Sequence, residues 1–321
     1  MNIMRWCLSV AAALCLASAA QAQNYPGKPI RVYVGYTPGG AVDVVARTVG
    51  QKISAALGQP VVVENKPGAG TNIAVRAMID SPPDGYTLMV TANALAANPT
   101  LFQPSPFDPE REVAPISLIG RVPVVIAANA NAGLASLKDL LAAAKTKPGA
   151  LSYATPGNGS TPHLAVELFM RAAGISMLHI PYRGGSQAII DVLGGQLPLV
   201  AVNALEVLPH VKAGKLRVLA VMSEKRTTIF PEAPTIAESG FPGFEASVWY
   251  GFIAPAATPK PIIEKLHGEI QKALKSPEVL ERMAAVGGEV TPGSTQQFKE
   301  LIHNERVRYE KLIREAQIKA E

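Results

Sequence analysis

Short β-branched runs alternate along this chain with longer stretches whose apolar residues recur at helical spacing. Parallel strands joined by helices read this way: a strand buried on both faces is a continuous apolar run, and a helix buried on one face has a 3.6-residue period. Ile30 to Tyr36 is a first strand, and Val42 to Leu57 a helix with Val45, Val49 and Ile53 on one face. Val61 to Glu64 is the next strand, Asn72 to Ile79 a helix and Tyr86 to Thr91 a third strand, followed by a loop rich in Asn and Pro. Ile116 to Ala128 is a long extended run broken at Pro123, as expected of a strand that crosses between domains. The alternation then restarts. Ser136 caps a helix to Lys145, Leu151 to Thr155 is a strand, His163 to Ala173 a helix, Leu178 to Pro181 a strand and Ser186 to Leu193 a helix. Leu197 to Val202 and Leu216 to Met222 are strands, Trp249 to Ala254 is again extended, and helices at Pro261 to Leu274 and Thr295 to Ala316 close the chain. The pattern predicts an α/β protein of two domains, each a mostly parallel sheet flanked by helices. Residues 124–247 form one domain, and residues 23–123 with 248–321 form a discontinuous second one.

Composition narrows the class. Of 321 residues, 48% are hydrophobic and 17% charged, which excludes a disordered chain and a coiled coil. The 30 Lys and Arg exceed the 25 Asp and Glu to give +5, but the excess is scattered rather than gathered in a stripe, so nucleic acid is not an expected partner. At the N-terminus, Arg5, the apolar run Trp6 to Ala20 and the motif Ala20-Gln21-Ala22 predict a secretory signal over residues 1–22, cleaved after Ala22. The run is short for a membrane span, and polar sequence follows at once. The chain's 2 cysteines, Cys7 and Cys15, both lie inside this signal, so the exported part has no disulfide, thiolate nucleophile or cysteine-bound metal. A monomer in the periplasm, without a lipid anchor, is the expectation.

Two loops carry the candidate chemistry. Gly35-Tyr36-Thr37-Pro38-Gly39-Gly40-Ala41-Val42-Asp43 and Thr155-Pro156-Gly157-Asn158-Gly159-Ser160-Thr161-Pro162-His163 each join a predicted strand to a predicted helix. Glycines let backbone N–H groups approach a ligand, and a helix N-terminus adds unpaired donors and partial positive charge, so either site suits an anion. Each loop alone also reads as a tight turn. Two equivalent loops in two equivalent domains favour a shared cleft. Neither contains Lys or Arg, nor a P-loop or dinucleotide fingerprint, so a carboxylate held by amides and by Thr37, Ser160 and Thr161 fits better than a polyphosphate. Asp43 is open to two roles, capping its own loop or meeting an amine-bearing ligand. His163 opens its helix, as a core or capping residue or as a proton carrier. Ser160 and His163 are a nucleophile and a base close in sequence, but no Gly-x-Ser-x-Gly elbow and no metal-binding histidine motif is present. The expectation is a protein that is not an enzyme and needs no cofactor or metal.

Several motifs taken together are more specific. Val63-Glu64-Asn65-Lys66-Pro67-Gly68-Ala69-Gly70, Pro83-Asp84-Gly85-Tyr86-Thr87-Leu88, the two glycine loops, Pro181-Tyr182-Arg183-Gly184-Gly185, and Trp249-Tyr250-Gly251 with Ala254-Pro255 and Thr258-Pro259 resemble the Bug/TctC family. These are periplasmic solute-binding proteins of tripartite tricarboxylate transporters. Thr71 departs from the pattern, standing where another glycine is expected after Gly70. The resemblance implies a periplasmic-binding-protein (Venus flytrap) fold whose two domains close on a carboxylate, with ordered waters assisting. Its implied site has Tyr36, Thr37, Gly39, Gly40, Ala41 and Asp43 on one side, and Thr155, Gly157, Asn158, Ser160, Thr161 and His163 on the other. Ala92, Asn93 and Asn203 would face the cleft from its floor, and Arg183 would meet a distal carboxylate. Trp249 and Tyr250 read as packing. The implied function is capture of a di- or tricarboxylate, an aromatic acid or an amino acid, and its delivery to the transporter's membrane permease subunits. A secreted Ser160/His163 hydrolase and a receptor serving a sensor kinase are the other readings.

Overall fold

The computed structural model describes residues 25–182, 184–285 and 287–320, so the proposed signal, its cleavage site and Arg183 lie outside the described residues. In chain order the elements are β1 (Ile30–Val34), α1 (Ala41–Leu57), β2 (Val61–Asn65), α2 (Asn72–Ile79), β3 (Thr87–Thr91), α3 (Ala94–Leu101), β4 (Val113–Val122) and β5 (Val124–Asn129). There follow α4 (Leu137–Thr146), β6 (Ser152–Thr155), α5 (Thr161–Ala173), β7 (Leu178–Pro181), α6 (Gly185–Leu193), β8 (Leu199–Asn203), α7 (Ala204–Lys212) and β9 (Leu216–Val221). The chain closes with β10 (Val248–Pro255), α8 (Lys260–Ala273), α9 (Pro277–Ala285), β11 (Glu289–Val290) and α10 (Thr295–Ala316).

These strands form two sheets, in the orders β11-β4-β10-β3-β1-β2 and β7-β6-β8-β5-β9. The pairs built by helical crossovers, β1 with β2 and β3 and β6 with β7 and β8, are parallel. The strands that carry the chain between sheets run antiparallel to their neighbours, so each sheet is mixed. The expected run broken at Pro123 is the end of β4 in one sheet and all of β5 in the other. Val124 pairs with Asn203 at the end of β8, and Gly251 with Thr91 at the end of β3. Both crossings therefore lie at the carboxyl ends of the parallel strands. The loops after β1, β3, β6 and β8 emerge on that same side, where ligands of open α/β sheets bind.

Strands β3, β5 and β10 are buried at every residue, which is why they read as unbroken apolar runs. Helices α3, α7 and α9 replace expected loops or unassigned sequence. Helix α3 carries Pro99, yet Leu95, Ala96, Ala97 and Leu101 are buried and Asn98 donates to Gly70 O at 2.7 Å. Tertiary packing overrides the local preference there, as it does for α7, which contains Pro209. Thr71 has a φ of 84°, a left-handed conformation that glycine adopts without steric cost, and its buried hydroxyl has no hydrogen-bond partner. That accounts for the expected glycine at this position.

Candidate functional site

The first loop leaves β1 and enters α1 with Thr37, Pro38, Gly39 and Gly40 all exposed. Gly40 is the N-cap of α1 but no side chain caps the helix, so first-turn N–H groups remain open to an anion. The acid in the first turn of α1 is turned away. Asp43 is buried and accepts from Gly39 N–H at 3.0 Å, Asn65 Nδ2 at 2.9 Å and Arg47 Nε at 3.0 Å. Burial alone would raise its carboxyl, but the hydrogen bonds from Arg47, Gly39 and Asn65 outweigh it and hold the group below the usual aspartate value. Of the two roles open to Asp43, the contacts are those of the brace: it fixes the loop, and its charge is already matched by Arg47. Tyr36 closes the rear of the loop, half-buried, its hydroxyl pushed up to about 12 by burial.

The second loop is tied to itself. Ser160 Oγ donates to Gly157 O at 2.7 Å and accepts from His163 N–H at 3.4 Å, forming the N-cap of α5. Gly157 N–H donates to Thr155 Oγ1 at 3.2 Å, and Gly159 N–H donates to His163 Nδ1 at 3.0 Å. An accepting Nδ1 places the imidazole proton on Nε2, which lies 3.7 Å from Glu167 Oε1. The hydrolase pair is therefore not assembled, because the Ser160 hydroxyl faces a carbonyl and the His163 ring nitrogen is occupied by a backbone amide. Thr161 and Asn158 stand half-buried beside this knot. Gly159 also brings the loop against the other sheet's helices: a Cβ there would lie 2.0 Å from Leu101 Cδ2 of α3.

Beneath the loop is a residue that sequence reasoning passed over. The ring of His179, from β7, stacks on His163 with centroids 3.8 Å apart and lies 2.6 Å, Nε2 to Oγ1, from buried Thr155. Burial, with His163 beside it, pushes His179 down to about 3 from its ordinary 6.5. The unfolded chain takes up a proton near pH 6.5 that the folded one refuses until about pH 3. Stability is thus complete above that window and falls as pH drops through it. His179→Gln should flatten the acid limb of a melting-temperature profile between pH 6.5 and roughly 4. Parallel limbs for wild type and variant would contradict a buried neutral imidazole.

The floor residues divide. Ala92 is buried at the end of β3. Asn93, also buried, is fully used by the protein: its Nδ2 donates to Tyr309 OH at 2.9 Å and to Ser247 O and Glu305 Oε2 at 3.2 Å, while Trp249 N–H donates to its Oδ1 at 3.0 Å. It ties the return strand β10 to α10. Asn203 remains at the cleft end of β8, with Nδ2 donating to Glu206 Oε1 at 2.9 Å and Oδ1 buried without a partner. Trp249 and Tyr250 are buried, Trp249 edge-on to Phe298 with centroids 5.5 Å apart. Glu206 and Tyr250 were not among the expected site residues. No local motif marks either one, since what matters about them is which distant elements surround them.

A family model described as "Tripartite tricarboxylate transporter family receptor" matches residues 45–318. The chain belongs to this receptor family. Receptors of the family are solute-binding proteins and not enzymes, in accord with the absent Ser160/His163 pair. BugT of Bordetella pertussis is 38% identical over 302 residues, spanning 94% of this chain and 93% of that protein. The structure of periplasmic binding protein BugD superposes with a TM-score of 0.81 at 32% identity, covering 92% of this chain and 100% of that one. Rpa4515 of R. palustris, solved with adipate, gives 0.83 at 31% identity with the same coverage of 92% and 100%. The receptor's fold is accordingly that of the two-domain periplasmic binding proteins. Among the described residues no helix is long and apolar enough to cross a membrane.

Proposed function

We propose that this receptor captures a small carboxylate between two lobes in the periplasm and hands it to the permease subunits of a tripartite tricarboxylate transporter. The carrying observation is the uncapped N-terminus of α1 behind an exposed glycine pair, with the helix's first-turn acid, Asp43, already paired to Arg47. Such a site offers N–H donors and a favourable helix field to one anion, with the charge of Asp43 already matched. Adipate in the Rpa4515 structure supports the ligand class, and the signal pattern over residues 1–22 supports the compartment. Residues 25–123 with 248–320 form one lobe and 124–247 the other, joined at Pro123 and before Val248. On this reading Thr37, Gly39, Gly40 and Ala41 from the first lobe and Gly157, Asn158 and Thr161 from the second meet the carboxylate. Asp43, Ser160, His163 and Asn93 hold the frame.

Because donors come from both lobes, ligand binding favours the closed arrangement, in which all of them reach one group. A thermal-shift screen of mono-, di- and tricarboxylates, aromatic acids and amino acids should yield a stabilising ligand, by about 2.7 kcal/mol at 100 times its Kd. Small-angle scattering at saturation should then give a smaller radius of gyration, with the ligand recovered chemically unchanged. No stabilisation by any carboxylate, or turnover of the one that binds, would overturn the reading.

A further inference from the structure

Glu206 is a half-buried acid outside the two glycine loops. It sits in the first turn of α7, at the carboxyl end of β8 and hence on the cleft side of the second sheet. Asn203 Nδ2 donates to its Oε1 at 2.9 Å, which fixes the orientation of the amide: a carboxylate only accepts, so the NH2 must face it and Oδ1 must point away. That Oδ1 is buried and unpartnered. Glu206 Oε2 occupies the space in front of Gly185, where a Cβ would lie 1.8 Å away. No Lys, Arg or His among the described residues forms an ion pair with it. Tyr250 of β10 feels the charges of Tyr36, behind the first loop, and of Glu206. Burial raises the Glu206 carboxyl above the ordinary glutamate value, although hydrogen bonds from the Asn203 side chain and backbone work against it.

Two adjacent acceptors with no cation paired to them among the described residues suit a group that only donates. We propose that Glu206, with Asn203 Oδ1 beside it, receives the cationic end of the ligand, so that the receptor prefers a carboxylate bearing a distal ammonium to one bearing a second carboxylate. The proposal rests on the carboxylate reading above, and it opposes the assignment of Arg183 to a distal carboxylate.

Chain-matched probes separate these readings: 4-aminobutyrate, butyrate and succinate, with the five- and six-carbon series 5-aminovalerate, valerate, glutarate and 6-aminohexanoate, hexanoate, adipate. Titration calorimetry on the exported protein should show, in at least one length series, the ω-amino acid bound at least about tenfold more tightly than the diacid, as expected for a charged hydrogen bond. Glu206→Gln keeps the side chain's volume and should bring the two within about threefold of each other, or reverse their order, while butyrate-class affinity stays put. Diacids bound as tightly as ω-amino acids or more so in wild type, with the ratio unchanged in Glu206→Gln, would overturn the proposal and leave the carboxylate reading standing. If Arg183→Gln then abolished diacid binding, the distal-carboxylate assignment would replace it. Failure of all nine probes alongside failure of the wider carboxylate screen would remove both.

Discussion

Gly40→Val is expected to weaken carboxylate binding by at least about a hundredfold and to leave the melting temperature of the free protein almost unchanged. Two facts separate function from folding at this position. The backbone of Gly40, at φ −71° and ψ 165°, is open to any residue, and a Cβ there would meet only Thr37 O, at 3.7 Å. The isopropyl group therefore costs the fold little. It does stand beside the first-turn N–H groups of α1, and losing two hydrogen bonds to a charged ligand, each about 1.5 to 3 kcal/mol, gives the stated factor. Gly157→Val is a poorer test of the second loop, because Gly157 has a φ of 144° and a Cβ would lie 3.0 Å from Tyr182 O. A change there strains the loop whether or not the amide touches ligand. Full affinity in Gly40→Val would remove the α1 N-terminus from the site.

The largest effect on stability is expected at Asn93. Replacing it with alanine deletes one acceptor and the donor of three hydrogen bonds, leaving Trp249 N–H, Ser247 O, Tyr309 OH and Glu305 to find new partners in a buried place. At about 1 to 3 kcal/mol for each group left unsatisfied, a loss of roughly 3 to 5 kcal/mol is expected. Urea titration of wild type and Asn93→Ala would measure it. The ties join the end of β3, the return strand β10 and α10, so they set how that strand enters the first sheet. A loss under about 1 kcal/mol would mean that water reaches these groups readily and that Asn93 is not a brace.

Asn93 also illustrates where sequence reading stops. Its partners are 154 to 216 residues away, and nothing around Ala92-Asn93-Ala94 announces them. The same holds for His179, whose importance comes from stacking on His163 across two elements, and for Glu206, whose carboxylate lies against Gly185 of a different helix. The strands were legible because burial on both faces leaves continuous apolar runs, as in β10, and the long helices because a one-sided face repeats. Helix α3 was not, since its buried residues are spread around it and Pro99 argues locally against a helix that packing sustains. The glycine loops were legible as places. Local contacts then separated their residues: Gly40 opens a bare helix end, whereas Asp43, Ser160 and His163 close hydrogen bonds within their own loops.

The central claim is that one carboxylate is held by loops from both lobes at once, and amide resonance mapping tests it most directly. Using the exported protein labelled with nitrogen-15 and titrated with a ligand found in the screen, the account predicts coupled shifts in two groups of amides. Thr37 to Ala41 and Gly157 to Thr161 should move together along one saturation curve and stop at the same ligand concentration. Shifts confined to one loop, or a ligand that saturates elsewhere with both loops unmoved, would contradict it.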